Sequence, residues 1–336
     1  MKRLLALALC LLPLVSAAAD AIRWPVAWRA GDHWTYDTES LTRETDEKGT
    51  RVTRNTDITD VRVLEAGAQG SAQSWTSRDS YIEAIEGDRS GTDAIAPALA
   101  AFDGFAVIFE LDGDGHFSKV RNLAETGDKV RQVMLPLTGI DLDAMATSID
   151  PKLTQAQRAA VMAETRNRLD AMMRTIFDDP TVTAMTAGNL KTMTRFAGTD
   201  FVPGHHVRGA ATIDTPLRGR PLAATRDVVA TVDKRDPNLV RVRWTLTLDP
   251  AGDADALWDL QAELTRGGLR DSLHPQGRPV GLSLREDGAL LFRRDTGVVE
   301  MVENTVVSDA GPEHHAEHRY RLRLRDSTRA WADLRR

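Results

Sequence analysis

Between Leu239 and Leu248, apolar and polar residues alternate without interruption. Val240, Val242, Trp244, Leu246 and Leu248 share one parity, and Arg241, Arg243, Thr245 and Thr247 share the other. A period of two puts successive side chains on opposite faces of a strand, so this segment predicts one buried and one wet face. The same kind of pattern covers most of the chain. Gly31-Asp32 predicts a turn, after which Trp34 and Tyr36 lead into a strand. Arg51 to Leu64 predicts a long exposed strand, with Thr53, Asn55, Asp57, Thr59 and Val61 on one parity and Val52, Ile58 and Val63 breaking it. Ser71 to Ala84 pairs back across the Ala66–Gly70 turn. Phe105–Leu111 and His116–Val120 form a hairpin around Asp112-Gly113-Asp114-Gly115. Later strands are expected at His205–Thr215, Leu222–Asp233, Val280–Arg285, Ala289–Arg294, Val298–Val307 and His318–Leu324, with a turn at Glu286-Asp287-Gly288.

The period changes between Asn122 and Phe196. Val161/Met162, Leu169, Met172/Met173 and Ile176 recur at three- and four-residue spacing, which marks one face of a helix. Thr154 is its expected N-cap, and Asp178-Asp179-Pro180 ends it. Pro180 then sits in the first turn of a further helix reaching Phe196. Leu123–Met134 predicts a preceding helix, and shorter ones are expected at Asp93–Phe102 (capped by Asp93), Asp141–Ser148 and from Asp253 to Leu264. Seven of the nine methionines fall in the helical middle. Methionine fills irregular cores and lines adaptable apolar surfaces. The face is therefore either a helical core packed on a sheet or one wall of an apolar ligand cavity. Met162, Leu169, Met172, Met173 and Ile176 are the candidate ligand-binding residues.

Composition sets the address. Met1-Lys2-Arg3, an apolar run from Leu4 to Val15 and small residues to Ala19 have the form of a secretory signal peptide, and the run is too short to span a bilayer. Cys10 lies inside that run, and Leu9 before it is not the small residue that a lipoprotein signal needs. Cleavage near Ala19 leaves a chain without cysteine, so no disulfide or thiol chemistry is expected. These features predict a soluble, unlipidated bacterial periplasmic protein. No later apolar run reaches membrane-spanning length. A net charge of −6 with mixed signs gives no sign of a nucleic-acid partner.

Candidate chemistry is sparse. Asp112 and Asp114 have the first ligand spacing of a calcium loop, but Phe117 stands where that loop needs glycine and Leu123 where it needs glutamate. His314-His315-Ala316-Glu317-His318 has the His-x-x-Glu-His form of inverted zinc proteases. The string runs into an alternating segment, however, and on a strand residues 314 and 318 lie ~13 Å apart, too far to share an ion. Together with His205-His206 these histidines carry the competing reading, a metal-dependent hydrolase. Gly-x-Ser-x-Gly, a phosphate loop with Lys and His-Glu-x-x-His are all missing. No catalytic residue, metal set or cofactor is therefore expected.

The expected fold is α+β, with long antiparallel, curved sheet and a central helical block packed on one face. Its parts are a signal peptide at 1–19, a β-rich half at 20–122, a helical middle at 123–197 and a second β-rich half at 198–336, or one continuous domain over 20–336. The opening Gly-Asp-x-Trp-x-Tyr at Gly31–Tyr36 resembles the start of many exported bacterial β-rich proteins. The order of elements is similar to that of the lipoprotein carriers and receptors of the LolA and LolB type, in which a half-barrel cups helices around an apolar hollow. That resemblance implies a non-enzymatic protein that shields an apolar or lipid-like ligand. An envelope protein-protein interaction module is the alternative.

Overall fold

The computed structural model describes residues 21–135, 154–213, 222–249, 282–310 and 315–335. The signal-like segment, the Asp141–Ser148 and Asp253–Leu264 helices and His314 lie outside the described residues. The fold is α+β. After the short β1 (Ile22–Arg23) and the turn at Gly31-Asp32, eleven strands form one antiparallel sheet. On the N-terminal side these are β2 (His33–Asp46), β3 (Gly49–Gly67), β4 (Gly70–Glu86), β5 (Ala106–Asp112) and β6 (Phe117–Val120). On the C-terminal side they are β8 (His206–Ile213), β9 (Leu222–Val232), β10 (Leu239–Leu248), β11 (Leu282–Arg293), β12 (Val299–Ala310) and β13 (His315–Leu324). The order across the sheet is β6-β5-β4-β3-β2-β13-β12-β11-β10-β9-β8. Two meanders thus join where the first long strand, β2, pairs with the last, β13. A separate two-stranded ladder links β1 to β7 (Asp200–Phe201).

Five helices complete the described structure: α1 (Ser90–Phe102), α2 (Leu123–Met134), α3 (Gln155–Ile176), α4 (Asp179–Thr194) and α5 (Trp331–Arg335). Local chemistry explains three of the starts. Thr154 accepts from the Gln157 amide while Gln157 reaches back to the Thr154 amide, a complete capping box. The Asp178 carboxylate accepts from Thr181 N at 3.1 Å, with Pro180 in the first turn of α4. Asn122 ties the start of α2 to β5, accepting from Ile108 N and donating to Ala106 O, each at 2.9 Å. The α1 start departs from expectation. The helix begins at Ser90, and Asp93 lies in its first turn, where a carboxylate favours the positive end of the helix dipole.

The sheet is strongly curled. Lys191 Nζ sits 5.3 Å from the Phe117 ring on β6, and the Phe196 ring is 5.3 Å from that of Trp244 on β10. In a flat sheet those strands, eight spacings apart, would be separated by about 38 Å. Residues 191 and 196, in and just after one helix, reach both, so the sheet wraps around the end of α4. Aromatic packing fixes this wrap at one rim. Trp24 stacks on Phe292 at 4.4 Å between centroids, and its Nε1 donates to Gly297 O at 3.0 Å. Gly297 has φ +73°, and a Cβ there would meet Pro25 O at 1.8 Å. Only glycine allows this close approach.

Two strand expectations are corrected. β3 is an interior strand between β2 and β4, not an exposed one, and Thr59 and Val61 are buried. Glu286-Asp287-Gly288 is not a turn. It lies inside one continuous strand, β11, paired with Leu246-Thr245-Trp244 of β10. The Trp244 indole occupies the space above Gly288, where a Cβ would approach it to 2.0 Å. Tertiary packing uses the glycine as a seat for a large ring, so its local turn preference is overridden.

Candidate functional site

Helix α3 carries the methionine face. Leu169 and Met173 are buried, at 8% and 2% exposure, and Met162 is partly covered. Met172 and Ile176 are 40% and 49% exposed, as is Val161 at 43%. At 3.6 residues per turn, Met162, Leu169 and Met173 form one stripe, with Ile176, Met172 and Val161 stepping roughly 40–100° round to one side. The predicted face is thus split, part sealed inside and part open to solvent. Met185 on α4 adds another exposed apolar side chain at 51%. The C-terminal end of α3 is held by Arg131, which donates to Phe177 O at 3.0 Å and to Asp128 at 2.7 Å. A cation at the last carbonyls suits the negative end of the dipole. A cleft of ≈ 490 Å³ opens where α2, α3 and α4 meet, lined by Ala124, Asp128, Arg131, Arg174, Asp178, Asp179 and Pro180.

The helix-packed face of the sheet divides into two kinds of surface. Over β9 to β12 it is apolar, with Val228, Val242, Leu246, Leu290 and Val302 buried. One polar network interrupts it. Glu286 is buried and pairs with Arg195, and it accepts from Trp244 Nε1 at 2.8 Å. The Arg195 guanidinium lies 5.4 Å from the centre of the Trp244 ring. Such a buried carboxylate is stable only because a cation and an N–H both meet it.

Across the central strands the same face turns polar. Thr38 and Thr59 share a hydrogen bond at 3.1 Å, and Thr59 donates to Asp57 at 2.7 Å. Burial pushes the Asp57 carboxyl above its usual range, and the surrounding hydroxyls of Thr59, Thr38 and Ser77 only partly oppose the shift. Beside this cluster runs a cross-strand row: Asn304 opposite Tyr320, Tyr320 opposite Ser40, and Ser40 opposite Asn55. Burial raises the Tyr320 phenol, with lesser contributions from Asp57 and Tyr36. This polar row was not foreseen. The shared parity of Asn55, Asp57 and Thr59 was its only trace in the sequence.

The histidines do not converge. His318 is on β13, hydrogen-bonded to Thr42 Oγ1 at 3.1 Å, and His315 bonds Asp309 at 2.7 Å. His206 bonds Asp227 at 2.8 Å on β8 and β9, at the far edge of the sheet. Among the described residues no three His, Cys, Asp or Glu side chains are grouped to hold a metal. The Asp112 carboxylate serves its own hairpin, accepting from the amides of Asp114 at 3.0 Å and His116 at 2.9 Å. On the opposite face of β13, Arg321 is paired with Glu303 at 2.7 Å and Glu39 at 3.4 Å, and Arg323 with Asp37 at 3.6 Å. The arginine stripe is thereby matched by carboxylates on neighbouring strands. No helix among the described residues is long and apolar enough to cross a membrane.

No protein-family model and no curated protein matches the chain. Among solved structures, one of lipovitellin, described for its lipid–protein interactions, superposes with a TM-score of 0.43 at 8% identity. The superposition covers 90% of this chain and 26% of that one, so this chain spans about a quarter of its length.

Proposed function

We propose that this chain is a non-enzymatic, exported periplasmic protein that binds or carries an apolar, lipid-like ligand. One observation carries the reading: α3 has its own capping box yet leaves Met172, Ile176 and Val161 uncovered beside the buried Leu169 and Met173. Apolar side chains grouped on one side of a helix mark a surface that an apolar partner covers. The signal-like opening Met1–Ala19 supports the location. Native mass spectrometry of residues 20–336, purified from a periplasmic extract without detergent, tests it. A bound mass of lipid size is expected, and it should be lost in Met162→Asp/Met172→Asp with the fold retained. A bare polypeptide mass in the wild type, even after incubation with vesicles containing both phospholipid and monoacylglycerol, would sink the reading.

A second reading rests on β8. This edge strand exposes His206 to Ala210, and its outer side is unpaired among the described residues. An extended segment of an envelope protein would add to it as a further strand. Val207→Pro should abolish such capture and leave ligand retention intact.

A further inference from the structure

We infer that the row Asn304–Tyr320–Ser40–Asn55 holds the polar head of the ligand, and that the head is a neutral polyol. The inference rests on the ligand-binding reading above and specifies which end of the ligand is recognised, and where. Tyr320 is only 6% exposed, yet its hydroxyl has no hydrogen-bond partner. Asn55 Oδ1 and Asn304 Oδ1 are likewise buried and without a partner. Buried polar atoms are nearly always satisfied, and each exception calls for its own explanation. Here three exceptions fall in a single row across four neighbouring strands. Directly opposed residues have Cβ atoms about 5 Å apart, and the whole row spans about 14 Å. That is the reach of a group bearing several hydroxyls, not of one.

The chemistry of the row selects the head. Two amide oxygens accept hydrogen bonds, and the phenol and the Ser40 hydroxyl both donate and accept. O–H donors on the ligand meet this set. A phosphate head would lie beside the Asp57 carboxylate, which repels it, and none of the four residues of the row is a cation to offset that repulsion. A cationic head is not required, because Asp57 already accepts from Thr59. The buried hydroxyls of Thr38 and Thr59 lie on the same face of the sheet, on the same strands as Ser40 and Asn55.

The test uses the full chain after removal of the leader and two matched probes, 1-monopalmitoylglycerol and its 2,3-di-O-methyl ether. They share chain, ester and skeleton and differ in O–H donors. The wild type should bind the diol at least about tenfold more tightly, the worth of one to two hydrogen bonds. Tyr320→Phe and, independently, Asn55→Leu should collapse that ratio while the thermal midpoint of the ligand-free protein stays level or rises, since each removes an unsatisfied atom. Equal binding of both probes by the wild type overturns the head assignment and leaves the carrier reading standing. A ratio that survives in both variants overturns the placement in this row. Binding of neither probe, with no lipid-sized mass on the purified protein, overturns both readings together.

Discussion

Helices α5 and α3 are held by opposite means. α5 has five residues, too few for a stable helix alone, and everything about it is tertiary. Leu334 is fully buried against Leu239, Leu291 and Met301. Arg241 donates to Asp333 O at 2.7 Å and pairs with Asp233 at 3.0 Å, while Arg321 lies 5.2 Å from the centre of the Trp331 ring. α3 has 22 residues, a capping box and i,i+4 ion pairs Glu164–Arg168 and Asp170–Arg174, but only two buried side chains. One helix exists because the sheet demands it. The other exists by its own sequence and is only lightly attached. Long, locally encoded helices need not belong to the core, and an element with spare apolar surface is the one available to a ligand.

Breaking the α5 side should cost most. Asp233→Asn removes the carboxylate facing Arg241, both partners being almost fully buried, and should lower stability by about 3 kcal/mol in urea unfolding at neutral pH. Burial alone would push the Asp233 carboxyl up, but the Arg235 and Asp236 amides and the Arg329 and Arg241 cations hold it below its usual range. A depressed folded-state value gives stability that is present above about pH 4 and lost as pH falls through the folded value. The gap between wild type and Asp233→Asn should therefore close in acid, and a gap independent of pH would contradict the assignment. Leu334→Ala should cost about 2–3 kcal/mol, measured the same way. Met173→Ala on α3 should cost about 2 kcal/mol and expose that helix to proteolysis before the sheet unfolds. Met172→Ala, one residue away but open to solvent, should change stability by less than about 0.5 kcal/mol. A large loss at Met172 in the ligand-free protein would erase the contrast between the two helices.

Much of this architecture was legible because it is written locally. The alternation at Val240–Leu248, the Thr154 cap and the Pro180 helix start each act over a few residues, and each appears where expected. What escaped depends on distant partners. Glu286-Asp287-Gly288 has the composition of a turn until Trp244 and Arg195 arrive from other elements. α5 is too short to leave a periodic signature. The candidate site shows both sides of this division. The spacing placed Met162, Leu169, Met172, Met173 and Ile176 on one helix, and burial then separated Leu169 and Met173 from Met172 and Ile176. The row from Asn304 to Asn55 is assembled from β12, β13, β2 and β3, and only strand register sets those residues side by side.

The pairing of β2 with β13 has a kinetic consequence. Tyr36 lies opposite Leu324, so the middle of the sheet cannot close until β13 has been made. Until then each meander carries a raw inner edge, β2 waiting on one side and β12 on the other. Contacts between residues nearly three hundred positions apart slow folding, because the loop must be closed before it is rewarded. An unfinished copy offers those edges to its neighbours, and a second chain can fill the seam in place of the first. A chain built this way gains from being kept extended until β13 is delivered.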